Sequence, residues 1–195
     1  VWQRGTDFSP ATNNTYQTDR FFLISDSVGT VNITRQDAFG VDKDIRYALR
    51  AERTTETNSR VLINITEGAL SHIRQTLTLS YYLRKGSAFT SDISVSLSTR
   101  ATKFGTIRDS GDRTVLNSDL STTTWTRFTQ QITITSATET NLADLFEIEW
   151  AATQPGASGA YFEITGVQLE AGSVATPFRR NAPSLQGELA ACQRY

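Results

Sequence analysis

The chain has 195 residues, of which 38% are hydrophobic and 20% charged, and this composition is globular rather than disordered. The formal net charge is −1 and the basic residues are scattered, which argues against a nucleic-acid or anionic-membrane partner. No apolar run approaches the roughly 20 residues that span a bilayer, so no membrane insertion is expected. The only cysteine is Cys192 and the only histidine is His72, which excludes an intrachain disulfide and the usual zinc patterns. We expect no metal and no cofactor.

Apolar and polar residues alternate along most of the chain. The apolar positions that share one parity within each run are, in chain order, Ile45, Tyr47, Leu49, Ala51; Val61, Ile63, Ile65; Leu77, Leu79, Tyr81, Leu83; Ile93, Val95, Leu97; Phe128, Ile132, Ile134; and Phe146, Ile148, Trp150. This pattern is typical of antiparallel strands with one buried and one solvated face. Turn residues separate the runs. The sequence therefore predicts an all-β fold, an antiparallel β-sandwich of the jelly-roll type.

The last run contains a change of phase. Phe162 and Ile164 share a parity that Val167 and Leu169 break, with Gly166 at the slip. A β-bulge at this glycine would return the apolar side chains to the inner face.

Helix is predicted only over two short segments, Glu67–Arg74 and Ser184–Cys192. No repeat and no interdomain linker is visible, so residues 1–195 are expected to form a single domain. The chain opens at Val1 rather than Met, and we expect it to be a processed product or a fragment.

Carboxylates are the only side chains that offer a route to catalysis. Glu147, Glu149 and Glu163 lie on outward parities of successive strands, and a hairpin across the Pro155–Gly159 loop would bring two of them to glycosidase spacing. A solvated sheet face also carries glutamate commonly, and we favour that interpretation. No catalytic residue is expected.

Two turns contain closely spaced aspartates. Asp109–Asp112 and Asp42–Asp44 are similar to loops that hold calcium, but they have fewer ligands than an EF-hand loop and Lys43 would repel the ion. We interpret these aspartates as turn formers.

Outward aromatic–arginine pairs are the candidates for ligand binding. Tyr82 and Arg84 share the outward parity of one strand, and Trp125 and Arg127 that of another. Flat aromatic faces with polar neighbours suit a glycan, and the same residue types are enriched at subunit interfaces. Both interpretations stay open.

The C-terminal segment carries a short apolar stripe. Leu185, Leu189 and Cys192 recur at helical spacing on a polar tail that ends at Tyr195. A helix of about two turns needs a surface to lie on, either its own sandwich through Phe178 or a neighbouring subunit, and the second predicts an oligomer contact.

Several motifs together resemble a family of β-sandwich domains of tailed-bacteriophage fibres and other virion-surface proteins. The matching segments are Thr18–Phe21, Thr78–Leu83, Trp125–Arg127, Gln168–Gly172, Ala175–Phe178, Glu188–Leu189 and Cys192–Tyr195. The resemblance implies a jelly-roll domain related to carbohydrate-binding modules, displayed on a phage particle and commonly trimeric. In residue terms, Glu170–Gly172 is expected to end a strand and Phe178 to plug the sandwich.

The main hypothesis is therefore a non-enzymatic virion-surface domain, the C-terminal part of a longer fibre or receptor-binding protein with a host-cell glycan as its target. Two alternatives are a structural capsid-decoration or fibre-stabilising domain, which contacts only other virion proteins, and a polysaccharide-degrading glycosidase.

Overall fold

The computed structural model describes residues 7–8, 21–25, 31–55, 59–65, 70–100, 106–135, 145–180 and 186–187. Twelve strands lie in these ranges: β1 (Asp7–Phe8), β2 (Phe21–Ser25), β3 (Val31–Asp37), β4 (Tyr47–Arg53), β5 (Ser59–Ile65), β6 (Thr76–Lys85), β7 (Ile93–Arg100), β8 (Ile107–Ser110), β9 (Arg113–Val115), β10 (Thr126–Thr133), β11 (Leu145–Ala152) and β12 (Tyr161–Ala171).

The strands form two antiparallel sheets. The first sheet has the order β1-β3-β4-β12-β6-β10, and the second has the order β2-β5-β11-β7-β8, with β9 also pairing with β7. The chain crosses between the sheets repeatedly, so sequence neighbours such as β4 and β5 lie in different layers. The predicted antiparallel β-sandwich is confirmed.

The core lies between the sheets and contains the predicted apolar side chains of β6, β7, β10 and β11, with Leu49 and Ala51 of β4. Ile45 and Tyr47 are exceptions, since Ile45 packs in a separate outer cluster and Tyr47 lies against Arg35.

Tyr81 of the first sheet meets Trp150 of the second edge to face, with ring centroids 5.6 Å apart. Gln130 also lies on an inward position, where it accepts a hydrogen bond from the Tyr81 hydroxyl (3.0 Å) and donates one to the Val95 carbonyl (3.1 Å). Burial raises the pKa of Tyr81, which keeps its hydroxyl protonated as a donor. One polar side chain thus joins both layers.

The predicted bulge in β12 is confirmed. The pairing of β12 with β6 shifts register between Thr165 and Gln168, and Gly166 has φ +58°. β12 ends at Ala171, as the resemblance implied, and Gly172 follows with φ +106°.

Two short 3-10 helices are present in the described part of the chain. Within Glu67–Arg74 a 3-10 helix covers Leu70–His72, and a second 3-10 helix, which the sequence did not predict, covers Asn117–Asp119. Of Ser184–Cys192, Gln186 and Gly187 are helical and the rest lies outside the described residues. Across the described ranges, no helix is both long and apolar enough to cross a membrane.

Candidate ligand-binding face of the first sheet

The outer face of the first sheet carries a row of charged side chains at its centre, which we call the arginine row (Arg50, Glu163 and Arg84). The row arises from strand register, because Glu163 of β12 pairs with Arg50 of β4 on one side and with Arg84 of β6 on the other. Three residues far apart in sequence therefore lie side by side on adjacent strands.

Glu163 is fully buried beneath the two arginines. Nε and Nη2 of Arg50 donate to its Oε1 at 2.9 and 2.7 Å, and Nε of Arg84 donates to its Oε2 at 2.6 Å. The arginine side chains are 22% and 23% exposed, whereas that of Glu163 is 0% exposed. The guanidinium groups, not the carboxylate, form the accessible surface.

An aromatic ring flanks the row at each end. The Cζ atom of Arg50 lies 3.8 Å from the ring centroid of Tyr161, and that of Arg84 lies 4.6 Å from the ring centroid of Trp125. These distances are within the range of cation–π contacts, which hold each guanidinium in place.

The four residues predicted for glycan binding lie together on this face, in pairs other than the predicted ones. Arg84 stacks on Trp125 rather than beside Tyr82, and the Cζ of Arg127 lies 5.8 Å from the Tyr82 ring centroid. The pairing follows the register, since Arg127 of β10 is opposite Tyr82 of β6. Their role in binding stays a prediction.

The segment after β12, residues 173–180, crosses the outer face of the first sheet, and we call it the strap. Arg127 Nη2 donates to the Thr176 carbonyl, and Gln131 Nε2 donates to the Ser173 carbonyl at 2.6 Å. The backbone N–H of Arg179 donates to Gln168 Oε1 at 2.8 Å. Side chains of the sheet therefore bind the strap mainly through its backbone.

A small apolar cluster fixes the end of the strap. Phe178 packs, together with Tyr82 and Trp125, against the buried side chains Ala38, Ile45 and Ala48. The expectation that Phe178 plugs the sandwich is therefore wrong in its location, because the ring covers the outside of a sheet.

Gly166 makes this cluster possible. A Cβ at this position would lie 2.6 Å from Ile45 Cδ1 and 2.9 Å from Tyr82 Cδ2. The glycine that produces the bulge also leaves room for the loop before β4 to approach the sheet.

The predicted carboxylate hairpin is wrong. β11 pairs with β5 and β7 in the second sheet, whereas β12 pairs with β4 and β6 in the first, so Glu147 and Glu163 belong to opposite sheets. The interpretation of both as solvated is also wrong: Glu147 is 2% exposed and lies 2.7 Å from Arg100 Nε. Arginine partners explain how outward carboxylates become buried.

The aspartates of both segments bind protein donors, but only Asp42 does so within a turn, whereas Asp109 lies in β8 and Asp112 binds a residue of β7. Asp109 Oδ1 accepts from the backbone and hydroxyl of Thr135, and Asp112 Oδ1 accepts from the Ser96 hydroxyl at 2.8 Å. Asp42 Oδ1 accepts from the backbone N–H of Asp44 at 3.0 Å.

The sequence analysis missed Arg50 and Tyr161 as members of the site. Arg50 was visible as an outward residue of its strand, but only the pairing of β4 with β12 places it beside Glu163. The predicted oligomer contacts Leu185, Leu189, Cys192 and Tyr195 lie outside the described residues.

The fold is similar to that of carbohydrate-binding modules in solved structures. One match is a structure described as the structural basis for the promiscuous specificity of carbohydrate-binding modules from the β-sandwich superfamily. It has a TM-score of 0.55 and 9% identity over 82% of this chain. This chain spans 63% of the length of that structure. A family 11 carbohydrate-binding module of the cellulosomal cellulase Lic26A-Cel5E of Clostridium thermocellum matches with a TM-score of 0.51 and 8% identity, over 84% of this chain and 94% of the other.

An enzyme structure contains a similar fold as well. An exo-β-agarase matches with a TM-score of 0.53 and 6% identity over 87% of this chain, which corresponds to 25% of the agarase chain. No protein-family model and no curated protein matches the sequence. At these identities the similarity establishes the β-sandwich fold alone.

Proposed function

We propose that this domain binds carbohydrate without cleaving it, through the outer face of the first sheet. The observation that carries the proposal is the arginine row flanked by Tyr161 and Trp125 across adjacent strands. It presents guanidinium donors that aromatic rings hold in place, and oriented donors of this kind recognise sugar hydroxyls. The similarity in fold to carbohydrate-binding modules supports this choice of ligand.

The positions of the carboxylates support a non-catalytic role. Glycosidases use two carboxyl groups about 5–9.5 Å apart on either side of the scissile bond. Here Glu163 has both oxygens bound by arginines, and Glu147 lies on the opposite sheet. The two carboxyl groups therefore cannot act as a pair on either side of one glycosidic bond.

The first test measures binding on a glycan array and then by calorimetry with any glycan that binds. We expect Trp125→Ala and Tyr82→Ala to weaken binding about tenfold or more, since they remove the supports of Arg84 and Arg127. Ile107→Ala is the control, because this side chain is 45% exposed and lies on β8 of the second sheet. Unchanged binding by both folded variants would place the site elsewhere.

A second measurement addresses hydrolysis. Incubation with any bound polysaccharide should release no reducing ends. Cleavage that Glu163→Gln or Glu147→Gln abolishes would make the domain a glycosidase.

We further propose that the domain is displayed on a phage particle as a homo-oligomer, most simply a trimer, with other virion proteins and a host-surface glycan as partners. This rests on the motif resemblance in the sequence. Deletion of Ser184–Tyr195 should lower the oligomer mass in light scattering and leave the β-sheet circular dichroism unchanged. A monomer for the intact chain at micromolar concentration would exclude the oligomer.

One observation favours the alternative of a purely structural domain. The strap already contacts Tyr82, Trp125 and Arg127, so part of the aromatic surface has an occupant within the chain. A stable oligomer with no binding to any glycan would support this alternative.

A further inference from the structure

The aromatic rings beside the arginine row are already covered. Arg50 lies over Tyr161, and a Cβ at Gly86 would fall 2.5 Å from Cε1 of the same ring, so the ring is held between a guanidinium and the backbone. Arg84 lies over Trp125, which also packs against the Phe178 cluster. A ligand that approaches the row therefore meets guanidinium groups before it meets a ring.

These guanidinium groups retain free donors. A guanidinium has five N–H donors in a planar fork. Arg84 uses Nε for Glu163, and no hydrogen bond from its Nη1 or Nη2 occurs within the described part of the chain. With its side chain 23% exposed, Arg84 presents two adjacent nitrogens to solvent.

The row also carries excess positive charge. Arg50 and Arg84 contribute two positive charges and Glu163 one negative charge, which leaves one positive charge. Glu52, which lies 3.9 Å from Arg50 Nη1, balances this charge in the sum but pairs with Arg50 only. Because Glu163 is buried, the charge that the Arg84 end presents to solvent is positive.

Arg127 adds a second cation next to this end of the row. Its Nη2 donates to the Ser80 hydroxyl and the Thr176 carbonyl, both neutral groups, and no ion pair with a carboxylate is seen for it in the described ranges. Arg84 and Arg127 thus lie on the neighbouring strands β6 and β10. Arg127 lies over Tyr82, and its charge also acts on Glu170.

We propose that the glycan recognised by this face is acidic, and that Arg84 binds the anionic group on the sugar. The inference rests on the proposed carbohydrate binding and names its ligand class. A planar guanidinium fork matches a carboxylate in a bidentate manner, and it also accepts sulfate or phosphate esters. Because Glu163 pairs with Nε of Arg84, a neutral sugar would leave the two outward nitrogens of this partly buried guanidinium without a charged acceptor.

The test compares oligogalacturonic acid with the same oligomer after reduction of its carboxyl groups to alcohols, in calorimetry at low and high salt. A sulfated oligosaccharide of similar length distinguishes sulfate from carboxylate recognition. We expect the acidic oligomer to bind at least about tenfold more tightly than its reduced form, and the difference to shrink at high salt.

Two variants connect this preference to Arg84. Arg84→Gln should weaken acidic-oligomer binding about ten- to a hundredfold, the range for one charge-assisted contact, and weaken reduced-oligomer binding by a clearly smaller factor. Arg84→Lys keeps the positive charge but lacks the planar guanidinium, so its affinity for the acidic oligomer should lie between those of the unchanged protein and Arg84→Gln. If Arg84→Gln fails to fold, the affinity of Arg84→Lys tests the role of Arg84. Arg100→Gln is the matched control, since it removes an arginine from a buried glutamate on the second sheet.

The outcomes separate the two proposals. Equal binding of acidic and reduced oligomers would overturn the acidic class and leave carbohydrate binding in place. Binding of no oligosaccharide, charged or neutral, would overturn both. An equal loss in Arg84→Gln and Arg100→Gln would refute the role of Arg84.

Discussion

Each sheet of the sandwich buries a glutamate on its outer face, and the two sites differ in what surrounds it. On the second sheet, Glu147 has Arg100 beside it. On the first, Glu163 lies between two arginines, and these arginines stack on Tyr161 and Trp125. One arginine pairs with Glu147, whereas two pair with Glu163 and present their guanidinium groups above it. The second sheet thus displays a structural ion pair and the first a charged recognition surface.

The largest effect should come from neutralising the two glutamates. Glu163→Gln removes the buried counterion of two arginines and should lower the free energy of unfolding by about 3 kcal/mol. Glu147→Gln removes the carboxylate beside one arginine and should cost about half as much. Chemical denaturation measures both.

The control for this pair is Glu52→Gln. Its side chain is 34% exposed and 3.9 Å from Arg50, so the change should cost less than about 0.5 kcal/mol. Equal losses for the Glu163 and Glu147 variants would mean that the second arginine adds nothing to stability.

Loss of the strap's apolar contact should have a smaller effect on the free energy of unfolding. Phe178 anchors the strap to the outer face of the first sheet. Phe178→Ala should destabilise the domain by about 1–2 kcal/mol, because the half-buried ring packs against Ile45 and Ala48. Val174→Ala in the same strap is the control, since Val174 is 74% exposed. If thermal unfolding shows no difference between the two variants, the apolar cluster does not fix the strap.

The smallest effect should be a pH dependence of the local stability of the strap. Burial acts to raise the pKa of Glu170, but hydrogen bonds from Thr176 and Gln168 and the charge of Arg127 outweigh it, and the pKa lies below its ordinary value. The stabilisation is present above the unfolded-state pKa and is lost as the pH falls through the lower folded-state pKa.

Hydrogen exchange at residues 173–180, corrected for the intrinsic effect of pH, should therefore rise severalfold when the pH is lowered through this acidic window. Glu170→Gln should show the faster exchange already at neutral pH and no further change on acidification. The same pH response in both proteins would exclude Glu170 as the titrating group.

Local patterns were sufficient to predict the layers and the bulge. Alternation placed Leu79, Tyr81 and Ile148 inside, because a strand allows only two directions for its side chains. The slip at Gly166 was visible because one residue inserted into a strand reverses the parity after it.

Register was not predictable in the same way. The burial of Glu163 depends on β12 lying between β4 and β6, which are more than 75 residues away along the chain. Parity alone could not distinguish an outward glutamate in solvent from one under two guanidiniums. Ile45 fitted the alternation of core residues, yet it packs outside the first sheet with Phe178. An apolar position in the sequence indicates burial but does not indicate which surface the side chain packs against.

The central position of β12 has a consequence for how the chain folds. It is the last strand of the described chain in sequence order, and it supplies the pairing partner for one edge each of β4 and β6. During synthesis these edges of β4 and β6 stay unpaired, and their apolar inner faces stay uncovered, until β12 has left the ribosome. Unpaired edges of this kind are templates for association between chains, and non-local pairing folds slowly. Expression at low temperature or with chaperones should therefore raise the yield of this protein more than it would for a sheet whose central strand is made first.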